Sequence, residues 1–345
     1  MSDKPLLIAA PYPQIWSRIF SQEDLVRLNE LVEVKHLGDD PVPDGKIDAL
    51  ISNAVAIAGQ PDLPRERLER ARKLKVIFSI EGNFYQNIDY DYCFRNEIRV
   101  LNCGAAYALP VAEMALGFAL NVARGVHRED RRFRMGTERY LGEACGDSVL
   151  LTGAHVGFIG FGNLGRALRP LLEPFRCRVK VYDPWLPASL IYEHGCEPAG
   201  LDEVLSTTTF IFVLAAVTTE NQGFLGARQF DLIRPASVFL LMSRAAVVDF
   251  DEFVKRVAAG QFKAATDVFP QEPMPKDHPV REVDELLLSP HRAGGIPQAF
   301  QSIGKMLVDD LDLILRGLPP IRMQPAQPET VKRFSSKPAD PAIGA

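Results

Sequence analysis

The sequence predicts an α/β protein built on parallel sheets. Three observations point there. Short β-branched and aromatic runs alternate with longer stretches of helical period. In the middle of the chain a glycine-rich turn opens a helix directly after one of the apolar runs. The length of 345 residues leaves room for about two domains. With 47% hydrophobic and 24% charged residues, the chain can bury a core without disulfide or metal.

The elements follow in order. Leu6–Ala10 reads as a strand and Glu23–Leu31 as a helix. Asp48–Ile51 and Ala54–Ala58 are further apolar runs, and Arg65–Lys73 is a charged helix leading into the strand Val76–Ile80. Arg99–Asn102 is another short strand. One long helix is expected over Pro110–Arg134, with proline in its first turn and Val111, Ala115, Phe118, Ala119 and Val122 at helical spacing. The regular block comes next: the strands Val156–Ile159, Val179–Tyr182, Phe210–Leu214, Val238–Met242, Ala264–Val268 and Leu286–Leu288. Six such strands complete a doubly wound sheet. Ile303–Leu315 closes the chain as a helix. The residues beyond are rich in Pro, Lys, Ser and Ala, and 323–345 is expected to be a disordered tail. The outer pieces, 1–107 and 297–322, would associate into one domain around a central domain of 108–296.

Composition narrows the function. A net charge of -5 offers no basic field for phosphate backbones, so nucleic-acid binding is not expected. Cys93, Cys103, Cys145, Cys177 and Cys196 are scattered, which suits a reducing compartment and argues against a zinc site. No metal is expected. The N-terminal apolar run is too short for a signal peptide, and no stretch reads as a membrane span. A cytoplasmic location is the expectation, with no membrane partner.

The glycines Gly160, Gly162 and Gly165 follow the strand Val156–Ile159 in G-x-G-x-x-G spacing. The first permits a tight turn, the second a close backbone approach to pyrophosphate, the third close helix–strand packing. Asn163 and Leu164 open the helix whose N-terminal amides would meet the phosphates. Asp183 ends the next strand, where a carboxylate can accept both ribose hydroxyls. Alone it could be a strand-end turn residue. With the glycines it predicts dinucleotide binding, and NAD over NADP, because it would repel a 2′-phosphate and Pro184-Trp185-Leu186-Pro187 brings no cation.

Three polar residues follow the later strands: Arg244, Glu272 and His291. In a parallel sheet the C-terminal strand ends share one edge, where ligands bind. Singly, they could be a surface cation, a solvated loop carboxylate and a satisfied loop histidine. Together they suit reduction of a 2-keto acid. A histidine exchanges the proton, a carboxylate orients its ring and favours its charged form, and an arginine forks onto the substrate carboxylate.

The glycine motif with V-K-V-Y-D, S-R-A-A-V-V-D at 243–249, D-V-F-P-Q-E-P at 267–273 and S-P-H-R-A-G-G at 289–295 resemble the D-isomer-specific 2-hydroxyacid dehydrogenase family. Weaker matches are Asn87–Asp89, Val111–Glu113 and Glu220–Asn221. That family includes phosphoglycerate dehydrogenase, glyoxylate/hydroxypyruvate reductase, formate dehydrogenase and the C-terminal-binding-protein corepressors. The resemblance implies a Rossmann doubly wound NAD domain inserted into a smaller flavodoxin-like α/β catalytic domain. It implies that Arg244 binds substrate, Glu272 tunes the histidine, His291 is the acid/base and Asp267 contacts the nicotinamide carboxamide. It also implies a homodimer, with the long helix in the contact.

The chain departs from the family pattern. A Gly-x-Gly loop, whose amides receive the substrate carboxylate, is here Glu81-Gly82-Asn83-Phe84-Tyr85. Gly82 and Asn83 remain the candidate substrate contacts. Phe84 stands at the second glycine, free either to reshape the pocket or to turn outward against the other domain. Leu241 and Ala245 replace the usual Asn and Gly around the arginine, and Leu214-Ala215-Ala216 replaces a His/Asn-x-Pro. The expected activity is NAD-dependent hydride transfer to or from a small 2-hydroxy/2-keto acid. The alternatives are an NAD(H)-sensing, non-catalytic protein of the corepressor type and a formate-type dehydrogenase, which the Pro275–Pro279 loop resembles. Formate oxidation needs no alcohol proton removed, so Glu272 argues against the latter.

Overall fold

The computed structural model describes residues 4–141 and 145–334. They form two compact units, one from the chain up to Tyr107 together with the chain from Gly295 on, the other spanning Ala108–Gly294.

The first unit carries β1 (Leu6–Ala10), β2 (Glu33–His36), β3 (Ala54–Gly59), β4 (Val76–Ser79), β5 (Arg99–Asn102) and, from the far end of the chain, β13 (Gln324–Pro325). Their order is β13-β5-β4-β3-β1-β2. Strands β1 to β5 pair in parallel and give the flavodoxin-like order 2-1-3-4-5. Strands β1, β3 and β4 read as nearly unbroken apolar runs because both faces are covered. Leu7, Ala9, Ala56, Val76 and Phe78 face the helix Pro297–Leu315, which buries Ile303, Met306, Leu307, Leu311 and Ile314. Ile8, Ile57 and Ile77 face the other way, onto Leu63, Leu68 and Phe84.

β2 was not foreseen. Glu33-Val34-Lys35-His36 lies at the sheet edge and is mostly exposed, so no core-facing pattern marks it. The charged helix is shorter than expected, Arg65–Leu68. The larger correction concerns the chain end. Residues 323–334, read as the start of a disordered tail, are built into this unit. β13 pairs antiparallel with β5. Met323 and Val331 are buried, and Phe334 packs on Phe84 with ring centroids 6.0 Å apart. A few well-placed apolar groups suffice where a core is already there to receive them. The rest of the predicted tail lies outside the described residues.

The second unit carries β6 (His155–Ile159), β7 (Arg178–Tyr182), β8 (Glu197–Pro198), β9 (Phe210–Val213), β10 (Val238–Leu241), β11 (Lys263–Thr266) and β12 (Leu286–Leu288). All pair in parallel, in the order β12-β11-β10-β9-β6-β7-β8. This is the Rossmann order, reversing direction between β6 and β9, the crevice where such folds take ligands. The two-residue β8 was missed for the same reason as β2. The helix Phe250–Ala258 shows how the covering layer is specified. Asp249 caps it by accepting from the Glu252 amide at 3.1 Å, and Phe250, Phe253, Val254 and Val257 turn inward. Phe253 meets Phe239 of β10 at 5.5 Å between ring centroids.

The single helix expected over Pro110–Arg134 is two, Ala108–Arg124 and Val126–Met135. Gly125 stands between them at φ +64°, a left-handed conformation that ends a helix. Gly104–Arg124 is also, among the described residues, one segment long and apolar enough to cross a membrane, contrary to the expectation that none exists. Its buried face includes Val111, Ala115, Phe118, Ala119 and Val122 and packs on the helix Asn163–Leu171 and on β10 and β11. That is the position of a core helix.

Candidate active site

The glycine turn follows β6. Gly160 has φ +92°, and a Cβ there would lie 2.6 Å from the Cα of Ala215. Only glycine fits. A Cβ on Gly165 would stand 2.8 Å from Phe161 Cδ2 and 3.2 Å from the Gly160 carbonyl oxygen, so the helix Asn163–Leu171 lies close against the turn. At Gly162 a Cβ would meet nothing within 4 Å. The missing side chain there leaves room for a ligand rather than for protein. Gly162 caps the helix, and no acidic residue occupies its first turn, so the amides of Asn163 and Leu164 and the positive end of the helix dipole are suited to anions.

Asp183 lies just past β7 and serves this turn. One carboxylate oxygen accepts from the Phe161 amide at 2.8 Å, the other from the Trp185 amide at 2.9 Å. It thus ties the glycine loop to the end of β7. A carboxylate has lone pairs enough to receive hydroxyls as well. Across the same sheet edge, the Ser243 hydroxyl is buried with no hydrogen-bond partner among the described residues. The open space at Gly162, the helix start and this unspent polar group together fit a dinucleotide.

β10, β11 and β12 end on that edge. After β10, Arg244 is half-buried, and its Nη1 donates to the Ser243 carbonyl at 2.7 Å. After β11, the loop carries Glu272. Its Oε1 accepts from the Phe269 amide at 2.9 Å and its Oε2 lies 2.6 Å from His291 Nδ1. After β12, His291 takes φ +47°, an unusual conformation for a histidine. Burial works to raise the Glu272 carboxyl. The His291 hydrogen bond and charge, the Phe269 amide and the nearby Arg244 outweigh it and hold Glu272 below the ordinary glutamate range. An ionised Glu272 accepts from Nδ1–H, which makes Nε2 the nitrogen that can exchange a proton. The three residues are therefore one electrostatic group.

Asp267 is 1% exposed. One of its oxygens accepts from Ser289 Oγ at 2.5 Å and from the Arg292 amide at 3.0 Å, the other from the Ala293 amide at 2.9 Å. It fastens the loop that carries His291. Sequence spacing gave no sign of this, because serine and backbone partners carry no charge pattern. Asn87, Asp89 and Asn221, from two of the weaker motif matches, hold local structure. Asn87 Nδ2 donates to the Gln60 and Pro61 carbonyls at 3.1 and 3.0 Å. Asp89 caps the helix Tyr90–Arg95, and Asn221 closes its own loop onto Thr218 and Ala216.

In the first unit, Gly82 and Asn83 follow β4. A Cβ on Gly82 would meet Tyr107 Cδ2 at 3.3 Å, and the Asn83 carbonyl accepts from Ser79 Oγ at 3.2 Å. Phe84 follows neither of the two courses foreseen. It is 3% exposed and enters this unit's own core, edge-on to Tyr90 at 6.3 Å. The second glycine is thus replaced without a bulky group being added on the open side.

Comparison with known proteins places the chain among one group of relatives. The family model described as "D-isomer specific 2-hydroxyacid dehydrogenase, NAD binding domain" matches residues 116–293. A solved phosphoglycerate oxidoreductase from Rhizobium etli is 44% identical, with a TM-score of 0.84 covering 95% of this chain and all of that one. A glyoxylate reductase from Korarchaeum cryptofilum is 26% identical over 88% of this chain and 93% of its own length. A D-3-phosphoglycerate dehydrogenase from Methanocaldococcus jannaschii is 26% identical over 77% of this chain. The chain spans only about half the length of that relative and of its Archaeoglobus fulgidus counterpart.

Proposed function

The chain belongs to the D-isomer specific 2-hydroxyacid dehydrogenase family, and we propose that it is an NAD-dependent oxidoreductase of small 2-hydroxy/2-keto acids. The observation that carries this reading is the 2.6 Å bond between Glu272 and His291, on the sheet edge that also carries Arg244 and the glycine turn. The bound nicotinamide would supply or accept the hydride. The protein's own work is electrostatic. Arg244 offers its planar fork to the substrate carboxylate. His291 gives its Nε2 proton to the oxygen that gains charge during reduction, and takes it back during oxidation. Glu272 holds the ring in the tautomer this needs and balances its positive charge.

A carboxylate paired with a histidine has no task in formate oxidation, where no alcohol proton is removed. Asp183 supports NADH over NADPH, because a 2′-phosphate would meet its charge. A homodimer and a cytoplasmic location complete the proposal. NADH consumption with glyoxylate, hydroxypyruvate, pyruvate and phenylpyruvate tests it. Turnover of at least one is expected, slower with NADPH. Tight NADH binding without turnover of any would favour a cofactor-sensing protein instead.

A further inference from the structure

The loop that carries Glu272 is short of donors of its own. It runs Phe269-Pro270-Gln271-Glu272-Pro273-Met274-Pro275, and the prolines at 270, 273 and 275 have no amide N–H. Such a loop cannot be laced by its own backbone, so its carbonyls need donors from outside. On the near side the Phe269 amide holds Glu272 Oε1 at 2.9 Å. On the far side the donor is Arg281. Its Nε donates to the Pro275 carbonyl at 2.9 Å and its Nη2 to the Met274 carbonyl at 2.7 Å. The planar guanidinium thus forks onto successive carbonyls just past Glu272. Arg281 is itself anchored. It lies in the short helical turn Pro279–Glu282. Val280, beside it, is 1% exposed and joins the core that holds Phe239, Phe253 and Val257, against which Met274 also packs. The turn is closed by the His278 amide on the Pro275 carbonyl at 3.3 Å and the Arg281 amide on the His278 carbonyl at 3.1 Å. Arg281 is exposed and forms no ion pair among the described residues. Its fork is spent on the loop, not on charge balance. All of these residues lie within the second unit.

We propose that Arg281 is a positioning residue for the Glu272–His291 pair: its fork on Met274 and Pro275 sets the carboxylate where it can hold the His291 ring. This rests on the dehydrogenase reading above and adds a residue that the reading does not use. Glu272 Oε2 stands 2.6 Å from His291 Nδ1, a charge-assisted bond that weakens steeply with distance and angle. A carboxylate on a loop free to drift spends less time in that geometry, and so does the ring it orients. Misplacement by about 1 Å can cost a reaction about 100-fold. Losing two exposed bonds loosens the loop only in part, so about tenfold is expected. Arg281 acts through Glu272 alone and touches neither substrate nor cofactor.

The test uses the full chain with NADH and whichever acid of the panel above it reduces best. Arg281→Ala should lower kcat by about tenfold and leave the Kd for NADH near the wild-type value. A double-mutant cycle then separates positioning from mere structure. With Glu272→Gln in place no ionised carboxylate is left to position, so adding Arg281→Ala should change kcat by less than about twofold. A merely structural arginine would cost the same factor in both backgrounds. Arg281→Lys keeps the charge but presents no fork, so its kcat should fall between those of the wild type and Arg281→Ala. It also takes the place of Arg281→Ala in the cycle if the alanine variant does not fold. Equal losses in both backgrounds, no loss in Arg281→Ala, or full activity in Arg281→Lys overturns the proposal. If Glu272→Gln is impaired when one of these results is found, only the role of Arg281 fails. If Glu272→Gln turns over as fast as the wild type, or the wild type binds NADH and reduces no acid, the dehydrogenase reading fails with it.

Discussion

At the residue scale, Arg244, Glu272 and His291 were legible in the sequence because each follows an apolar run that can only be a buried parallel strand. Strand ends of one sheet must share an edge. What could not be read was how they are held. The left-handed backbone of His291, the clasp of Asp267 on Ser289, Arg292 and Ala293, and the inward turn of Phe84 are tertiary facts with no local periodicity. The Glu272–His291 pair leads to a double prediction. Glu272→Gln should lower kcat/KM by about 10²–10⁴-fold while leaving the Kd for NADH near the wild-type value. The pair should also contribute modestly to stability, no more than about 1 kcal/mol, because His291 is partly solvated. Glu272 is held below the ordinary glutamate range. Its contribution is therefore fully present above that range and is lost as pH falls through the depressed folded value. Melting curves of the two proteins should differ at neutral pH and converge in acid. A gap in Tm that persists unchanged to low pH would contradict the ionised pair.

At the element scale, the strands with two buried faces were predicted within a residue or two, whereas β2 and β8 were not. An edge strand with exposed polar side chains shows no apolar run, and its pairing depends on a neighbour distant in sequence. The glycine turn separates two jobs that the motif alone merges. Gly160→Ala places a Cβ against the backbone of Ala215 at a positive φ. It should destabilise the second unit by about 2 kcal/mol or more, a fall in Tm of several degrees. Gly162→Ala meets no protein atom within 4 Å. It should fold nearly as well as the wild type yet weaken NADH binding by about tenfold, because the added methyl occupies ligand space. Thermal melts and NADH fluorescence titrations on both variants separate the roles. Equal stability losses with equal affinity would show that the open space at Gly162 does not face the cofactor.

At the scale of the whole molecule, the chain leaves the first unit at Tyr107, completes the second, and returns at Gly295. The return is more than the helix Pro297–Leu315. Asp310, in that helix, is fully buried and accepts from the Ile321, Arg322 and Met323 amides at 2.8, 2.9 and 2.7 Å. It turns the chain toward β5, where β13 joins the sheet edge. Beyond the edge, Val331 is 0% exposed and enters the same core cluster as Phe84 and Tyr90. Burial of one valine is worth about 1.5–3 kcal/mol, and Met323, Ala326 and the edge pairing add to it. A chain ending at Arg322 should therefore melt several degrees below the full chain, in the transition that belongs to the first unit. The second unit's NADH affinity should be nearly unchanged, because its glycine turn and Asp183 lie wholly within Ala108–Gly294. Calorimetry and NADH titration on the truncated chain check both halves of the expectation. An unaltered melt would mean that residues 323–334 lie on the sheet without stabilising it.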